Sequence, residues 1–364
     1  MRLSLLDRYI IKELLVPFFS GILAFTFILS GSTVLFTLIG EAVKYGIPFW
    51  HFLQLFLFKL PQIIALSFPM SMLLATLMAF GRLGNDLEVL ALRASGISIG
   101  RLVIPVIVMG FLISMMTVWF NESIVPQASV SAENLFRSYR DSDKPTIKNN
   151  INLTEYENGL PSRIINVAEV DQGILNTITV AEYEDGSLAR LISADTGRWL
   201  SSGGWEFYNG LMHNFSKLDP RIVTVIKFKK EFINIKINPL DMTKREKRME
   251  EMTRQELKAQ IELQKKTGKD PLKNIMDYHM KLSIAFASLI YSILGASIGL
   301  RPHRSSSALG LGISLLIIFV YIILLSVGMG LGMSGSLPPI IAAWFPNIIA
   351  GAAGLLLLKK VVSQ

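Results

Sequence analysis

The residues best placed to do work in this chain lie in one short segment, Asn85-Asp86-Leu87-Glu88 and the eight residues after it. The segment supplies an N-cap and a reciprocal carboxylate, Glu88, in the first helical turn. Leu87, Leu90, Ala91 and Ala94 then fall at i, i+3, i+4 and i+7, which places them on one face of a helix. Arg93 sits in the last turn, where the helix dipole favours a cation, and Gly96 offers the stop. The pattern predicts a helix of roughly ten residues over 85–95, about half the 20 or so needed to cross a bilayer. Such a helix, with its narrow apolar stripe, either lies on lipid or seats in the groove of a soluble partner. Asp86 and Glu88, on a face without the basic and aromatic residues of a lipid-lying helix, favour the protein partner.

A second kind of candidate is an ionisable residue inside an apolar run. Lys59 is the one that stands out, about a third of the way into the run 52–80. It either snorkels to the interface or presents a cation to a cavity that holds an anionic substrate. Lys44 and Glu41 lie just past the outer end of the first apolar run. With no Asp, Glu or His inside the apolar runs, a proton relay is disfavoured.

Signatures of catalysis are absent. The chain has no GxxxxGK[ST] phosphate loop and no cysteine, which removes thiolate metal sites, cysteine nucleophiles and disulfides. His51, His213, His279 and His303 show no ligand spacing, so no metal site is expected. Gly328, Gly330 and Gly332 alternate inside an apolar run with no strand before them, and they read as close helix packing. Trp199 and Trp205 read as sheet-core or turn residues. The chain is therefore not expected to be an enzyme or to carry a cofactor.

The elements that must position the candidates are membrane helices. The 364 residues are 51% hydrophobic and only 18% charged, against about 25% charged in a soluble domain. Six apolar runs, at 14–40, 52–80, 102–120, 282–300, 305–337 and 338–358, each supply about the 20 residues of a span. The first is too long for a cleavable signal, whose apolar core is about 7–15 residues. Ten Lys/Arg fall in segments 1–13, 81–101, 301–304 and 359–364, against Lys44 alone in the short loops 41–51 and 334–337. That asymmetry puts both termini in the cytoplasm. The formal charge of +8 thereby marks membrane orientation, and no nucleic-acid partner is expected.

Residues 121–281 form an insertion on the outer side with 24 Lys/Arg and 23 Asp/Glu. Segments 163–170, 176–183, 189–193, 205–215 and 221–237 read as short strands, the last with period-two apolar alternation, punctuated by turns at Glu157-Asn158-Gly159, Asp185-Gly186 and Ser202-Gly203-Gly204. A sandwich, a jelly roll and an open barrel all fit this spacing. After Pro239 the chain becomes Lys- and Glu-rich. Thr243…Glu246 and Thr253…Glu256 are spaced as capping boxes and Gly268 suits a stop, which predicts a charged connecting helix over 241–276. The resulting division is spans one to three at 1–120, a β domain at 121–240, the connecting helix, and spans four to six at 277–364.

FGRLGNDLEVLALRASGIS (80–98), FNESIVPQA (120–128) and AAWFPN (342–347), in a layout of three spans, an outer domain and three spans, resemble the LptF/LptG-type permeases of lipopolysaccharide export. The resemblance covers essentially the whole chain. It implies an α-helical polytopic protein of the bacterial inner membrane with an inserted periplasmic β-jelly-roll-like domain. It also implies a second permease subunit, a homologue or another copy, around a central cavity. A cytoplasmic ABC ATPase dimer, which would hold the ATP and Mg, docks on the helix carrying Asp86, Leu87, Glu88, Leu90, Ala91, Arg93 and Ala94, with Glu88 at the acidic position of that motif. A membrane-anchored periplasmic jelly-roll protein receives the glycolipid. Lys44, with Lys59, is the candidate contact to the lipid headgroup. The alternative is a mechanotransmission complex, in which an ATPase moves the outer domain to regulate a partner without moving lipid. Six spans with a nearly charge-free interior favour transport.

Overall fold

A computed structural model describes residues 4–140, 148–157, 160–171, 174–184, 187–200, 204–216, 223–233, 247–266, 270–300 and 307–362. The chain divides into two compact units. One comprises Met1–Phe136, Arg248–Ala259 and Leu272–Gln364, and the other Arg137–Lys247 with Gln260–Pro271.

The first unit is helical, and six of its helices are long and apolar enough to cross a membrane. Helix α1 (Leu5–Leu29) starts at a capping box, in which Asp7 N–H donates to Ser4 Oγ at 3.3 Å and Ser4 N–H to Asp7 Oδ2 at 3.0 Å. A π-helical turn (Ser30–Leu35) joins it to α2 (Phe36–Tyr45). Gly46, at φ +63°, ends α2, a conformation that glycine adopts without steric cost. Then follow α3 (Phe49–Asn85), α4 (Glu88–Ala94), α5 (Ile99–Ser123) and α6 (Val125–Arg140). Helical structure thus runs on beyond Phe120, because 125–140 is itself amphipathic, with Val125, Ser129 and Ala132 buried. After the inserted sheet come a 3-10 turn (Met249–Glu251), α7 (Arg254–Lys266), α8 (Leu272–Gly299), α9 (Ser307–Met333) and α10 (Pro339–Val362).

Helix α8 is the centre of the packing, against α3, α5 and α10. Small residues bring the axes together. A Cβ on Gly110 of α5 would overlap Ser292 Oγ and sit 2.7 Å from Ser292 Cβ, and one on Gly295 would sit 2.8 Å from Thr76 Cβ. Gly328 and Gly332 show the expected close approach, against Ala342 and Met276, whereas Gly330 faces open space. The capping box at Thr253 is formed, with Thr253 N–H donating to Glu256 Oε2 at 2.8 Å. Thr243…Glu246, Gly268, His303, Arg301 and Arg304 lie outside the described residues, as do the turn pairs Asn158-Gly159 and Asp185-Gly186.

The second unit holds an all-antiparallel sheet of β1 (Lys148–Glu157), β2 (Leu160–Asp171), β3 (Ile174–Glu184), β4 (Ser187–Trp199), β5 (Trp205–Phe215) and β6 (Val223–Ile233), paired in chain order. The order, left open by the strand spacing, is therefore a meander. Its first strand, missed by the sequence pattern, is mostly polar (Lys148, Asn149, Asn150, Asn152), with Ile151 and Leu153 its only aliphatic residues. Trp205, Phe207, Ile165, Ile178 and Ile192 form the core on one face. Among the described strands β1 pairs only with β2 and β6 only with β5. The other face carries the cross-strand pair of Lys230 with Glu206 at 2.8 Å, while Arg163, Glu182 and Arg190 continue the core face beyond Ile165, Val180 and Ile192, with Glu182 2.7 Å from Arg163 and 3.4 Å from Arg190. The Lys230 ammonium and the Tyr208 hydroxyl beside Glu206 hold its carboxyl below the usual carboxylate range.

Candidate docking helix and apolar groove

Helix α4 is shorter than the sequence pattern predicts, and it is not capped as expected. Asn85 closes α3, Asp86 is its C-cap, and Leu87 turns the chain at φ 57°, ψ 13° before α4 begins at Glu88 with no side-chain cap. The expected capping box fails because the Glu88 carboxylate is engaged elsewhere. Asp86 instead lies 3.9 Å from Arg82, one turn back on α3. The C-terminal expectation holds. Gly96 is left-handed (φ 84°), its N–H donates to Arg93 O at 2.9 Å, and Ile97 N–H donates to Leu92 O at 3.0 Å. That pair of bonds is a Schellman motif, with Leu92 and Ile97 both packed on the helical core.

The two faces of α4 differ in what they touch. Val89 and Leu92 pack inward on the core of the helical unit. Leu87, Leu90, Ala91, Arg93 and Ala94 are exposed, Leu87 by 63% and Leu90 by 60%. The apolar stripe read from the sequence is therefore the outward face. A leucine in the left-handed region costs about 1–2 kcal/mol, a strain concentrated at the first residue of that stripe.

Behind α4 lies a polar cluster that the sequence did not reveal. The Tyr9 hydroxyl on α1 donates to Glu88 Oε2 at 2.6 Å and accepts from Arg82 Nη2 at 3.0 Å. Arg82 also pairs with Glu13 of α1 at 3.0 Å and lies 3.7 Å from Glu88 Oε1. Beside it, the Arg101 guanidinium of α5 grips Asp7 with both terminal nitrogens, at 2.6 and 2.9 Å, and donates to Ser4 Oγ at 2.9 Å. Sequence reading counted Arg82 and Arg101 as orientation charges. Their partners on α1, Tyr9 and Glu13 for Arg82 and Asp7 for Arg101, lie 69 to 94 residues away, and no local spacing announces them.

Further along α1 is an apolar groove of about 370 Å³. Ile22, Leu23, Thr26, Phe27 and Ser30 line it from α1 and the π turn, and Phe56, Leu60 and Ile64 line it from α3. Thr26 Oγ1 donates to Ser67 Oγ at 3.4 Å, and Ser30 Oγ is buried without a hydrogen bond among the described residues. Lys59 is part-buried on α3 between Phe56 and Leu60, and it has no hydrogen bond or ion pair among the described residues. Lys44 is exposed in the last turn of α2, 5.2 Å from the centroid of the Tyr45 ring. No described contact brings Lys44 and Lys59 together.

Two further polar residues of the helical unit escaped the sequence reading. Lys281, adjoining the apolar run that starts at 282, is buried, so Lys59 is not the sole enclosed cation. Its ammonium donates to Met252 O, while Arg254 N–H donates to Glu122 Oε2 at 2.9 Å and the Arg254 guanidinium lies 4.5 Å from the centroid of the Tyr278 ring. Asn347, the last residue of AAWFPN, joins three spans: it accepts from Tyr321 OH at 3.0 Å and donates to Ser283 O at 2.7 Å. Among the described residues, no cluster of His, Asp and Glu has the makings of a metal site.

No curated protein matches the chain. The family model of the lipopolysaccharide export system permease LptF/LptG matches residues 8–360, nearly the whole length. The match spans the six apolar helices, the inserted sheet and the segment 85–95. On that match the chain belongs to the LptF/LptG family of lipopolysaccharide export permeases, as a multi-pass membrane subunit.

Proposed function

We propose that this chain is the transmembrane subunit of an ABC-type exporter that lifts lipopolysaccharide, or a similar glycolipid, out of the inner membrane. A separate cytoplasmic ATPase dimer drives it, and ATP and Mg bind there. The observation that carries the reading is the outward stripe of α4. Leu87, Leu90, Ala91 and Ala94 stand exposed on a helix whose opposite face, Val89 and Leu92, packs against the spans. A short helix held in this way, with its apolar residues turned out, suits the groove of a protein partner. The excess of Lys/Arg in the segments on the same side, with both termini, supports a cytoplasmic location for α4.

Lipid enters sideways from the bilayer and lays its acyl chains along apolar surface such as the groove between α1 and α3. Each buried CH₂ is favourable by about 0.8 kcal/mol. Lys44 and Lys59 are the cations available to the headgroup. A second permease subunit, homologue or copy, completes the cavity. The sheet is periplasmic and hands the lipid to a membrane-anchored bridge protein of similar fold. Strand β6 supports that step: it pairs with β5 alone among the described strands and leaves Val225, Ile226 and Phe232 exposed.

The test is co-purification. Leu90→Asp puts a charge in the middle of the stripe without touching the inward face. It should remove the ATPase from the purified complex while the chain keeps its yield and protease pattern. Undiminished co-purification would contradict docking through α4.

A further inference from the structure

We propose that Lys281, Glu122 and Arg254 are positioning residues of the export cycle, which clasp the two stems of the insertion to each other and keep them clasped throughout. The inference rests on the export reading above and adds a part of the helical unit that stays closed while lipid moves. The chain leaves the spans at the end of α5 and returns to α8 by way of 248–257 and α7. The two stems meet at a polar knot. Lys281, buried on α8, donates from its ammonium to Met252 O of the returning stem. Glu122, in the last turn of α5, accepts from Arg254 N–H of that stem at 2.9 Å. The Arg254 guanidinium in turn lies 4.5 Å from the centroid of the Tyr278 ring on α8.

A buried ammonium is costly unless it is paired, so the Met252 carbonyl that satisfies Lys281 is held firmly in place. The carboxylates of Glu122, Glu250 and Glu256 draw the same charge from around it. Met252 and Leu257 of the returning stem are buried, as are Met276 and Met280 of α8. Deeper in the bundle the same two spans are already locked together. Gly110 of α5 leaves no room for a Cβ against Ser292, and Ser114 Oγ accepts from Leu289 N–H at 3.2 Å. Held at mid-span and again at the stems, α5, α8 and 248–257 form one body. Charge-assisted hydrogen bonds are short and directional, so a displacement of either span is carried into both stems together. With the clasp open, the same displacement spreads the stems and is lost before it enters the insertion.

The complex of this chain with its second subunit and ATPase is reconstituted with lipopolysaccharide, and ATP-driven release is read beside ATP hydrolysis. Lys281→Met keeps the apolar stem of the side chain and removes the donor. Trypsin cleavage after Arg254 follows the open population and should rise about tenfold, the scale of a lost hydrogen bond from a charged group. Release should fall by a similar factor while ATP hydrolysis continues. Because the chain has no cysteine, Glu122→Cys with Arg254→Cys can be bridged by a short bifunctional thiol reagent with no competing thiol on this chain. The bridge should restore release to Lys281→Met, which a general loss of folding would not allow, and should leave release intact when Lys281 is present. That last chain reads the clasp by itself if Lys281→Met folds poorly. Failure of the pair to bridge, release halted by the bridge, or release lost in Lys281→Met and not restored by it would each overturn the proposal. So would trypsin cleavage or release unmoved in Lys281→Met. Absence of ATP-driven release from the unsubstituted complex would instead overturn the export reading, with trypsin still deciding whether the clasp holds.

Discussion

In the inserted sheet the enclosed side chains are Trp205, Phe207, Ile165 and Ile178, the charges of Glu206 and Lys230 meet on the opposite face, and Arg163 and Glu182 pair at the end of the core face. In the helical unit much of this assignment is inverted. Ser71, Thr76, Ser114, Thr117 and Ser297 are fully enclosed, while Phe19, Leu23, Phe27, Leu316 and Phe319 are exposed. The enclosed hydroxyls turn back on their own helices, as in Ser71 to Ser67 O and Thr76 to Met72 O, each at 2.7 Å. The contrast follows from the solvent. In water, removing apolar surface drives assembly. Between lipid and helix that force is absent, so close packing of small residues and interhelical hydrogen bonds must hold the spans together.

The largest test of the contrast is Trp205→Ala. It empties the sheet core and should cost about 3–5 kcal/mol. Limited proteolysis of the full chain would read this as new cleavage within 148–233, and an unchanged pattern would mean that the sheet does not depend on that core. Next is Gly110→Val, which drives a branched side chain into Ser292 and Ser288. Overpacking of this kind costs about 1–3 kcal/mol and should lower the thermal midpoint in detergent. Asn347→Leu matches the polarity of lipid but strips Tyr321 and Ser283 of their partner, a smaller loss of about 1 kcal/mol by the same measurement.

The smallest effect is on the outer face of the sheet. Glu206 titrates below its usual range when folded, so its contribution is present above the unfolded value and is lost as pH falls through the folded one. Glu206→Gln should therefore make sheet stability less sensitive to acid, while neutral-pH stability drops slightly. An identical acid profile for variant and parent would remove the pair from the account.

Long-period features were the most legible in the sequence. The six spans, the insertion of strands and the exposed stripe of α4 all express a repeating apolar pattern, and pattern survives in a single sequence. Gly96 was legible too, since one residue type satisfies a left-handed stop. The N-terminal start of α4 was misread because Asn85 and Glu88 have capping chemistry, but tertiary partners claimed the carboxylate first. Tyr9, Arg82, Lys281 and Asn347 stayed hidden for a related reason. Their partners are brought up by helix packing across 26 to 79 residues of chain, and residue type alone does not say which distant group will arrive. Strand β1 was missed because its alternation is confined to Ile151 and Leu153 in an otherwise polar stretch.

The central claim, that the lipid-facing surface and the docking helix together export lipid, is tested most directly by reconstitution. The chain, with its second subunit and ATPase, is placed in liposomes containing lipopolysaccharide, and release to a soluble acceptor is followed on addition of ATP. The account predicts ATP-dependent release that Leu90→Asp abolishes. ATP consumed at full rate with the lipid retained in the bilayer would contradict it, and would favour a membrane protein that moves its outer domain without carrying lipid.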